Sequence, residues 1–162
     1  MDVSVAIISD THGYLDPRIE AIVQDCDYVV HAGDVCGASV LTALQPKNGQ
    51  VIAVAGNNDP HWMPTVRLPK RRELVLPSGK ICLEHGDALG RTPSHAALRQ
   101  QYADARLIVY GHTHKLVVDK TFMPWVVNPG AAGKTRTHGG ASCLVLQASS
   151  TEWTLKTFRF PD

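Results

Sequence analysis

Short, continuous runs of apolar residues recur along the first two thirds of the sequence. These runs lack the polar–apolar alternation of a half-exposed strand, so they predict strands that are buried on both faces. They are VSVAIIS at 3–9, YVVHA at 28–32, VIAVA at 51–55, ICLE at 81–84 and LIVY at 107–110. Helical patterns fit between several of the runs, and strands that alternate with helices indicate an α/β fold.

Three helices are predicted between these strands. The first begins after Asp16, a residue type that caps helices, and proline at the next position already has the backbone angle of a first helical turn. The segments 38–44 and 93–103 are the other candidates. Thr92 is the predicted cap of the helix at 93–103.

The pattern changes after residue 114. Segments 115–130, 141–149 and 152–160 have the character of short strands joined by turns, and the last of them alternates clearly between apolar and polar residues. We expect these strands to form a second, mostly antiparallel sheet that packs against the first, with helices outside. No repeat, low-complexity tract or linker divides the chain, so we expect residues 1–162 to form one domain.

Composition narrows the range of functions. The 162 residues are 44% hydrophobic and 19% charged with a formal net charge of +1, which provides no general attraction to nucleic acid or to anionic membranes. No apolar stretch approaches the roughly 20 residues that span a bilayer. Four scattered cysteines without a C-x-x-C pair argue against a zinc–thiolate site and favour a reducing, cytoplasmic location.

Each of the five early apolar runs is followed closely by residues that can bind metal. In open α/β sheets, ligands collect in the crevice outside the carboxyl ends of the strands, so we expect these side chains to converge in space. In chain order they are Asp10 with His12, Asp34, Asn57 with Asn58 and Asp59, His85, and His112 with His114. The pattern predicts a metal centre where these strands end.

The donor types define the ions that would suit this centre. Four imidazoles, two carboxylates and an amide oxygen favour Mn, Fe, Zn or Ni over Cu(I) or an all-oxygen Ca²⁺ site. Seven donors are too many for one tetrahedral ion and suit two ions that share a carboxylate. Two divalent cations outweigh the charge of Asp10 and Asp34, so the centre would attract a phosphate and supply hydroxide near neutral pH.

Five motifs in this order resemble the signature of the calcineurin-like metallophosphoesterases. They are Asp10-Thr11-His12, Gly33-Asp34, Gly56-Asn57, His85-Gly86 and Gly111-His112-Thr113-His114. The chain length and the VVNPGA stretch at 126–131 resemble the small phosphodiesterase branch, which also contains the metallophosphoesterase-like subunit of retromer. The resemblance runs from residue 1 to about 147. It implies an α/β fold in which a two-sheet β-sandwich is flanked by helices in four layers, with a dinuclear centre.

The same resemblance implies a ligand set for each ion. One ion would be held by Asp10, His12, Asp34 and His114, and the other by Asp34, Asn57, His85 and His112. Asp34 would bridge two divalent ions, for which manganese is the first expectation and nickel, iron and zinc are alternatives.

One position departs from the pattern of many relatives. Asn58 stands where they carry a histidine that protonates the leaving group. An amide can donate a hydrogen bond to phosphate but cannot deliver a proton at neutral pH. The proton would have to come from His61 or from the substrate itself. Ala131 likewise replaces a serine that is common in relatives.

Two other segments admit simpler interpretations. NPGAAGKT at 128–135 nearly matches the phosphate-binding pattern G-x-x-x-x-G-K-S/T, but Asn128 stands where glycine is required and no helix pattern follows. A turn that borders the metal site is therefore favoured. The basic segment 67–73 is predicted to be a solvated loop or an edge strand, with contact to an acidic substrate or partner as the alternative.

Three polar residues near the predicted centre also have structural interpretations. His31 lies inside its strand and is predicted to be a core residue. Asp59 is expected to fix its loop by hydrogen bonds and not to touch metal. Asp34 could cap the helix at 38–44, but its position after a strand and a glycine favours the bridging role.

The sequence thus predicts a cytoplasmic phosphoesterase with Asp34 and Asn58 in catalysis. A phosphodiesterase is favoured over a phosphomonoesterase, acting on a small-molecule or nucleotide phosphate ester by attack of a metal-bridging hydroxide. No membrane or specific nucleic-acid partner is implied, and a homo-oligomer is compatible with the sequence. The alternative is a scaffold that uses the same fold for binding, which an exposed apolar surface at 61–64 and 123–127 would favour.

Overall fold

The computed structural model describes residues 2–59 and 67–162, which contain ten strands in two five-stranded sheets and three α-helices. The strands are β1 (Val3–Ile8), β2 (Tyr28–His31), β3 (Gln50–Ala53), β4 (Arg71–Leu76), β5 (Gly79–Glu84), β6 (Leu107–Val109), β7 (Val117–Asp119), β8 (Trp125–Asn128), β9 (Ala141–Ala148) and β10 (Trp153–Phe160). The helices are α1 (Pro17–Gln24), α2 (Ala38–Ala43) and α3 (His95–Gln101), with a short 3-10 helix at Asp87–Leu89.

The division of strands between the sheets differs from the prediction. The first sheet has the order β10-β9-β1-β2-β3 and the second has the order β4-β5-β6-β8-β7. The early strands β5 and β6 therefore join the late strands β7 and β8, whereas β9 and β10 return to the first sheet. The second sheet is also mixed, because β5 and β8 both run parallel to β6.

Strand β9 explains this exchange. It pairs antiparallel with β1 from Leu144 to Ala148, with Val3 opposite Ala148 and Ile7 opposite Leu144, and with β10 along its whole length. Its side chains are buried on both faces over most of that length. A strand this apolar needs a neighbour on each side and cover on each face, and the place beside β1 provides both.

Three apolar clusters separate four layers. The largest lies between the sheets and takes Ile7 and Leu144 from the first sheet and Leu83 and Leu107 from the second. A second cluster joins the outer face of the first sheet to α1 and α2, and a third joins the second sheet to α3. Each fully buried leucine, isoleucine or valine contributes about 1.5–3 kcal/mol, so this burial holds the layers together. The predicted α/β sandwich flanked by helices is confirmed.

The helix predictions are confirmed except for one cap. Asp16 caps α1 and accepts a hydrogen bond from the Arg18 amide. Helix α3 is capped by Ser94, whose hydroxyl accepts from the Ala97 amide at 3.2 Å, and not by Thr92. Thr92 precedes a proline, which disfavours the helical region for it and moves the start of the helix past that proline.

The basic segment 67–73, predicted to be a solvated loop or an edge strand, contains the start of edge strand β4. Strand β4 lies at the edge of its sheet and, among the described strands, pairs only with β5; both Arg71 and Arg72 are exposed. Charged side chains on such an edge discourage pairing with another chain. Within residues 2–59 and 67–162, no helix has the length and apolar character required to cross a bilayer.

Candidate metal centre

The predicted ligands occupy loops that turn sharply after the strands. The backbone is left-handed at five of them: Asp10 (φ 53°), His12 (47°), Asp34 (56°), His112 (74°) and His114 (62°). A residue with a side chain adopts this region at a cost of about 1–3 kcal/mol, and such residues cluster at functional sites. The fold therefore tolerates strain in order to direct these side chains inward.

Hydrogen bonds hold these loops against one another. The Asp59 carboxylate accepts from the amides of Val35 (3.1 Å), Cys36 (2.8 Å) and Gly56 (2.8 Å). Asp59 thus joins the loops after β2 and β3, as predicted. Gly56 is required there because a Cβ atom would overlap the carboxylate of Asp34.

Four of the predicted ligands form one compact group. Atoms that could bind metal in Asp10, His12, Asp34 and His114 all lie within 4.8 Å of one another. Nε2 of His12 is 3.1 Å from Nε2 of His114 and 3.4 Å from Oδ2 of Asp34, and Nε2 of His114 is 3.5 Å from Oδ1 of Asp10. Two imidazole nitrogens at this separation require a proton or a cation between them, because two lone pairs repel each other.

The remaining predicted ligands lie beside this group. Nε2 of His85 is 3.4 Å from Oδ2 of Asp34 and 3.9 Å from Oδ1 of Asp10. Nδ1 of His112 is 3.2 Å from the amide oxygen of Asn57, and the rings of His85 and His112 meet edge to face at 5.2 Å. Oδ2 of Asp34 is therefore equally close to an imidazole of each predicted set.

Carbonyl groups outside the cluster orient two of the imidazoles. Nδ1 of His85 donates to the carbonyl of Ala32, and Nδ1 of His114 donates to the carbonyl of Thr135, each at 2.8 Å. A carbonyl can only accept, so Nδ1 carries a proton and Nε2, which faces the cluster, is the nitrogen left to bind a cation. This arrangement of the second nitrogen is typical of histidines that bind metal.

Two buried polar atoms at the centre have no hydrogen-bond partner among residues 2–59 and 67–162. They are Oδ1 of Asp10 and Nε2 of His85, both in side chains that are almost completely buried. An unsatisfied buried group costs about 1–3 kcal/mol, and more when it is charged. A cation would be a partner for both atoms at once, so the residues present fit a metal site.

The pKa values of three of the predicted ligands also indicate a site that favours positive charge. Burial raises the pKa of Asp10 to about 7. Burial would lower the pKa of His85, but the carboxylates of Asp34 and Asp10 outweigh it and raise that pKa to about 9. Burial would raise the pKa of Asp34, but the adjacent imidazole of His85 and hydrogen bonds from Asn58 outweigh it and hold that pKa below its usual range. In the absence of metal, protons supply the positive charge that these carboxylates require.

Asn58 lies at the centre but contacts a carboxylate. Its backbone amide donates to Oδ1 of Asp34 at 2.8 Å and its side-chain amide donates to Oδ2 of Asp34 at 3.0 Å. Asn58 thus orients the carboxylate that both predicted ligand sets share. His61, the imidazole considered as an alternative acid, lies outside the described residues.

Other predicted roles near the centre are confirmed. His31 is a core residue: Nε2 lies 3.0 Å from the hydroxyl of Thr11 and Nδ1 accepts from the Gly33 amide. The Asn128 side chain donates to the Gly111 carbonyl at 3.0 Å, so the 128–135 segment borders the centre. Strand β9 follows that segment.

Ser9 and Arg136 are among the residues that contact the predicted ligands without having been predicted from the sequence. The Ser9 hydroxyl donates to Oδ2 of Asp10 at 2.8 Å, and a guanidinium nitrogen of Arg136 lies 3.4 Å from Nε2 of His114. Ser9 directly precedes a predicted ligand, which was an available signal. Arg136 directly follows the segment 128–135, but its approach to His114 depends on the tertiary fold.

The fold and the cluster together define an α/β sandwich in which carboxylate and imidazole side chains that could bind metal lie at the strand ends of both sheets. The chain belongs to the calcineurin-like phosphoesterase superfamily, whose family model matches residues 3–151. It is 26% identical over 141 residues to the phosphodiesterase MJ0936 of Methanocaldococcus jannaschii, an alignment that covers 78% of this chain and 82% of that protein.

Solved structures support the fold assignment. A single mutant of Vps29 from Entamoeba histolytica has a TM-score of 0.78 at 21% identity, covering 98% of this chain and 99% of that chain. The phosphoesterase YfcE from Escherichia coli has a TM-score of 0.68 at 20% identity, covering 96% of this chain and 98% of that chain.

Proposed function

We propose that this chain is a cytoplasmic, metal-dependent phosphodiesterase with a dinuclear centre, formed by a single domain of residues 1–162. One observation carries the proposal: in the part of the chain that the structure describes, Oδ1 of Asp10 and Nε2 of His85 are buried without hydrogen-bond partners, 3.9 Å apart, in the middle of the predicted ligands. Burial of such groups is costly unless a cation completes the site. The four free cysteines support a reducing compartment.

Each ion would have its own set of ligands. Asp10, His12, Asp34 and His114 would hold one ion, and Asp34, Asn57, His85 and His112 would hold the other. The first set already has its donor atoms within 4.8 Å of one another. When bound, two divalent cations would neutralise phosphate charge and lower the pKa of a bound water to about 7. The mixed nitrogen and oxygen donors suit manganese, with nickel, iron and zinc as alternatives.

The protein side chains would orient the reaction. Asn58 donates two hydrogen bonds to Asp34, which fixes the shared carboxylate, and its second side-chain N–H would donate to the phosphate. Ala32 and Thr135 fix the imidazoles of His85 and His114 through their carbonyls. Preorganised donors of this kind stabilise charge that develops in the transition state.

The proposed substrate is a phosphodiester of a small molecule or nucleotide. The relationship to a phosphodiesterase supports this choice over a monoester. Asn58 also supplies no proton to a leaving group, so esters with acidic leaving groups should react fastest. A homo-oligomer remains compatible with this function.

The test is turnover of an activated diester by metal-loaded protein. The wild-type chain, reconstituted with Mn²⁺ and checked for metal content, should hydrolyse bis(p-nitrophenyl) phosphate faster than p-nitrophenyl phosphate. Asp34→Ala and His85→Ala should each lower kcat/KM by about three orders of magnitude or more, because each removes a ligand. His138→Asn removes an exposed imidazole and should leave turnover unchanged. Equal turnover in wild type and Asp34→Ala would refute the assignment.

A scaffold remains the second candidate because one exposed apolar patch accompanies the similarity to Vps29. Val118, Phe122 and Met123 are 40%, 69% and 60% exposed, around the turn between β7 and β8. Of the predicted apolar surface, only Met123 in 123–127 is exposed, and 61–64 lies outside the described residues. A folded protein that retains no metal and hydrolyses neither ester would favour the scaffold.

A further inference from the structure

The loop after β8 places a cation on the solvent side of the candidate centre. Arg136 is exposed and has a left-handed backbone (φ 48°), and a nitrogen of its guanidinium lies 3.4 Å from Nε2 of His114. The loop is fastened to the same ligand, because the Thr135 carbonyl accepts from Nδ1 of His114 at 2.8 Å. A Cβ atom at Gly133 would overlap the backbone of Thr11, so the loop also packs directly on the loop that carries the first ligands.

In the metal-free protein Arg136 contacts Nε2 of His114, and it would lose this contact when a metal ion is bound there. Nδ1 of His114 holds the proton, so Nε2 offers a lone pair to the guanidinium. A metal ion at that nitrogen would use the same lone pair and would repel the guanidinium. Within residues 2–59 and 67–162, Arg136 forms no ion pair with a carboxylate. The loaded centre would therefore leave an arginine available at its rim.

The geometry points to Arg136 as a substrate-binding residue that holds a non-bridging oxygen of the phosphodiester. This inference rests on the proposed function and adds a specific contact to it. A guanidinium presents a planar pair of donors that matches phosphate geometry, and its charge does not depend on pH in the working range. Asn58, which hydrogen-bonds to Asp34, provides only a neutral amide, so Arg136 would add a cationic contact from the protein to the phosphate.

The experiment measures phosphate binding separately from turnover. Wild type, Arg136→Gln and Arg136→Lys would be loaded with Mn²⁺, checked for metal content, and titrated with inorganic phosphate by calorimetry. Lys134→Gln is the matched control, because it removes the same charge from the same loop while its ammonium lies over the Tyr14 ring at 4.7 Å. KM and kcat for bis(p-nitrophenyl) phosphate would be measured on the same samples.

We expect Arg136→Gln to weaken phosphate binding about 10- to 100-fold and to raise KM similarly, with kcat changed far less, because a charged contact to phosphate is lost. Arg136→Lys should be intermediate, since a lysine keeps the charge but loses the planar pair of donors. Lys134→Gln should change either quantity by less than about threefold, because exposed charges at longer range are screened.

Three outcomes would overturn the inference: unchanged phosphate binding in Arg136→Gln, an equal loss in Lys134→Gln, or loss of metal in Arg136→Gln. The last would show that Arg136 supports His114 and not the substrate. Loaded wild-type protein that binds phosphate through Arg136 but hydrolyses no ester would support this contact while refuting the proposed function.

Discussion

The unpartnered carboxylate oxygen of Asp10 leads to a prediction about stability. In Asp10→Asn, one polar atom can still accept from Ser9 and from the His112 amide, as Oδ2 does now at 2.8 Å and 3.1 Å. The other atom becomes an uncharged N–H₂ group that faces Nε2 of His85, which lies 3.9 Å from the present oxygen. The substitution thus removes a buried charge whose second oxygen lacks a hydrogen-bond partner among the described residues.

We expect metal-free Asp10→Asn to be more stable than metal-free wild type. An unsatisfied buried polar group costs about 1–3 kcal/mol, and relieving it in a chain of this length should raise Tm by roughly 3–10 °C. The effect should be largest at about pH 8, because burial raises the pKa of Asp10 to about 7 and the wild-type carboxylate is then ionised in the folded state.

Adding metal should reverse this order. Wild-type protein gains about 2.7 kcal/mol at a metal concentration one hundred times Kd, whereas the variant, with a ligand weakened, gains little. Thermal unfolding in EDTA and in Mn²⁺ measures both effects. Asp16→Asn is the control, because Asp16 is bonded to Arg18 and its loss should be mildly destabilising in both conditions. If Asp10→Asn proved less stable than wild type in EDTA, the unpartnered oxygen would not be a source of instability.

Three further predictions test the surroundings of the centre. Burial lowers the pKa of His31 to about 3, so below the ordinary histidine pKa of 6.5 the unfolded chain binds more protons than the folded chain. As the pH falls from 6.5 to about 3, urea unfolding of the metal-free proteins should show wild type losing up to about 1.4 kcal/mol more stability per pH unit than His31→Asn. Parallel pH profiles would contradict this. Gly111→Ala should lower the affinity for Mn²⁺ measured by calorimetry and destabilise the fold by about 1–3 kcal/mol, because its Cβ would lie 2.8 Å from a carboxylate oxygen of Asp10. Gly37→Ala is the control, because a Cβ there meets only ordinary van der Waals contacts. Equal effects of the two substitutions would refute the steric argument. Asp59→Ala removes the acceptor of three backbone amides and should lower the free energy of unfolding, measured by chemical denaturation, by about 2–4 kcal/mol. A decrease below about 0.5 kcal/mol would show that these loops are held by other contacts.

The positions of the ligands could be predicted because they follow directly from the ends of strands. The local apolar pattern locates β1, β2, β3, β5 and β6, and the next few residues must then lie at their carboxyl ends. The positions of Asp10 and His85 needed no knowledge of which strands are neighbours.

The partition of strands between the sheets could not be predicted in the same way. Strands β1 and β5 have the same buried, apolar character, and nothing local states that β9 pairs with the first and not with the second. Such pairing is decided by contacts between distant parts of the chain. The contact between Arg136 and His114 was missed for the same reason, since it joins a loop of irregular sequence to a ligand across the fold.

The seven predicted ligands come from both sheets. Asp10, His12, Asp34 and Asn57 follow strands of the first sheet, and His85, His112 and His114 follow strands of the second. A cation bound by side chains from both sheets would therefore link the two sheets. The affinity for this cation would depend on the position of one sheet relative to the other. Substitutions deep in the apolar layer between the sheets, far from any ligand, could then change how tightly the metal is retained.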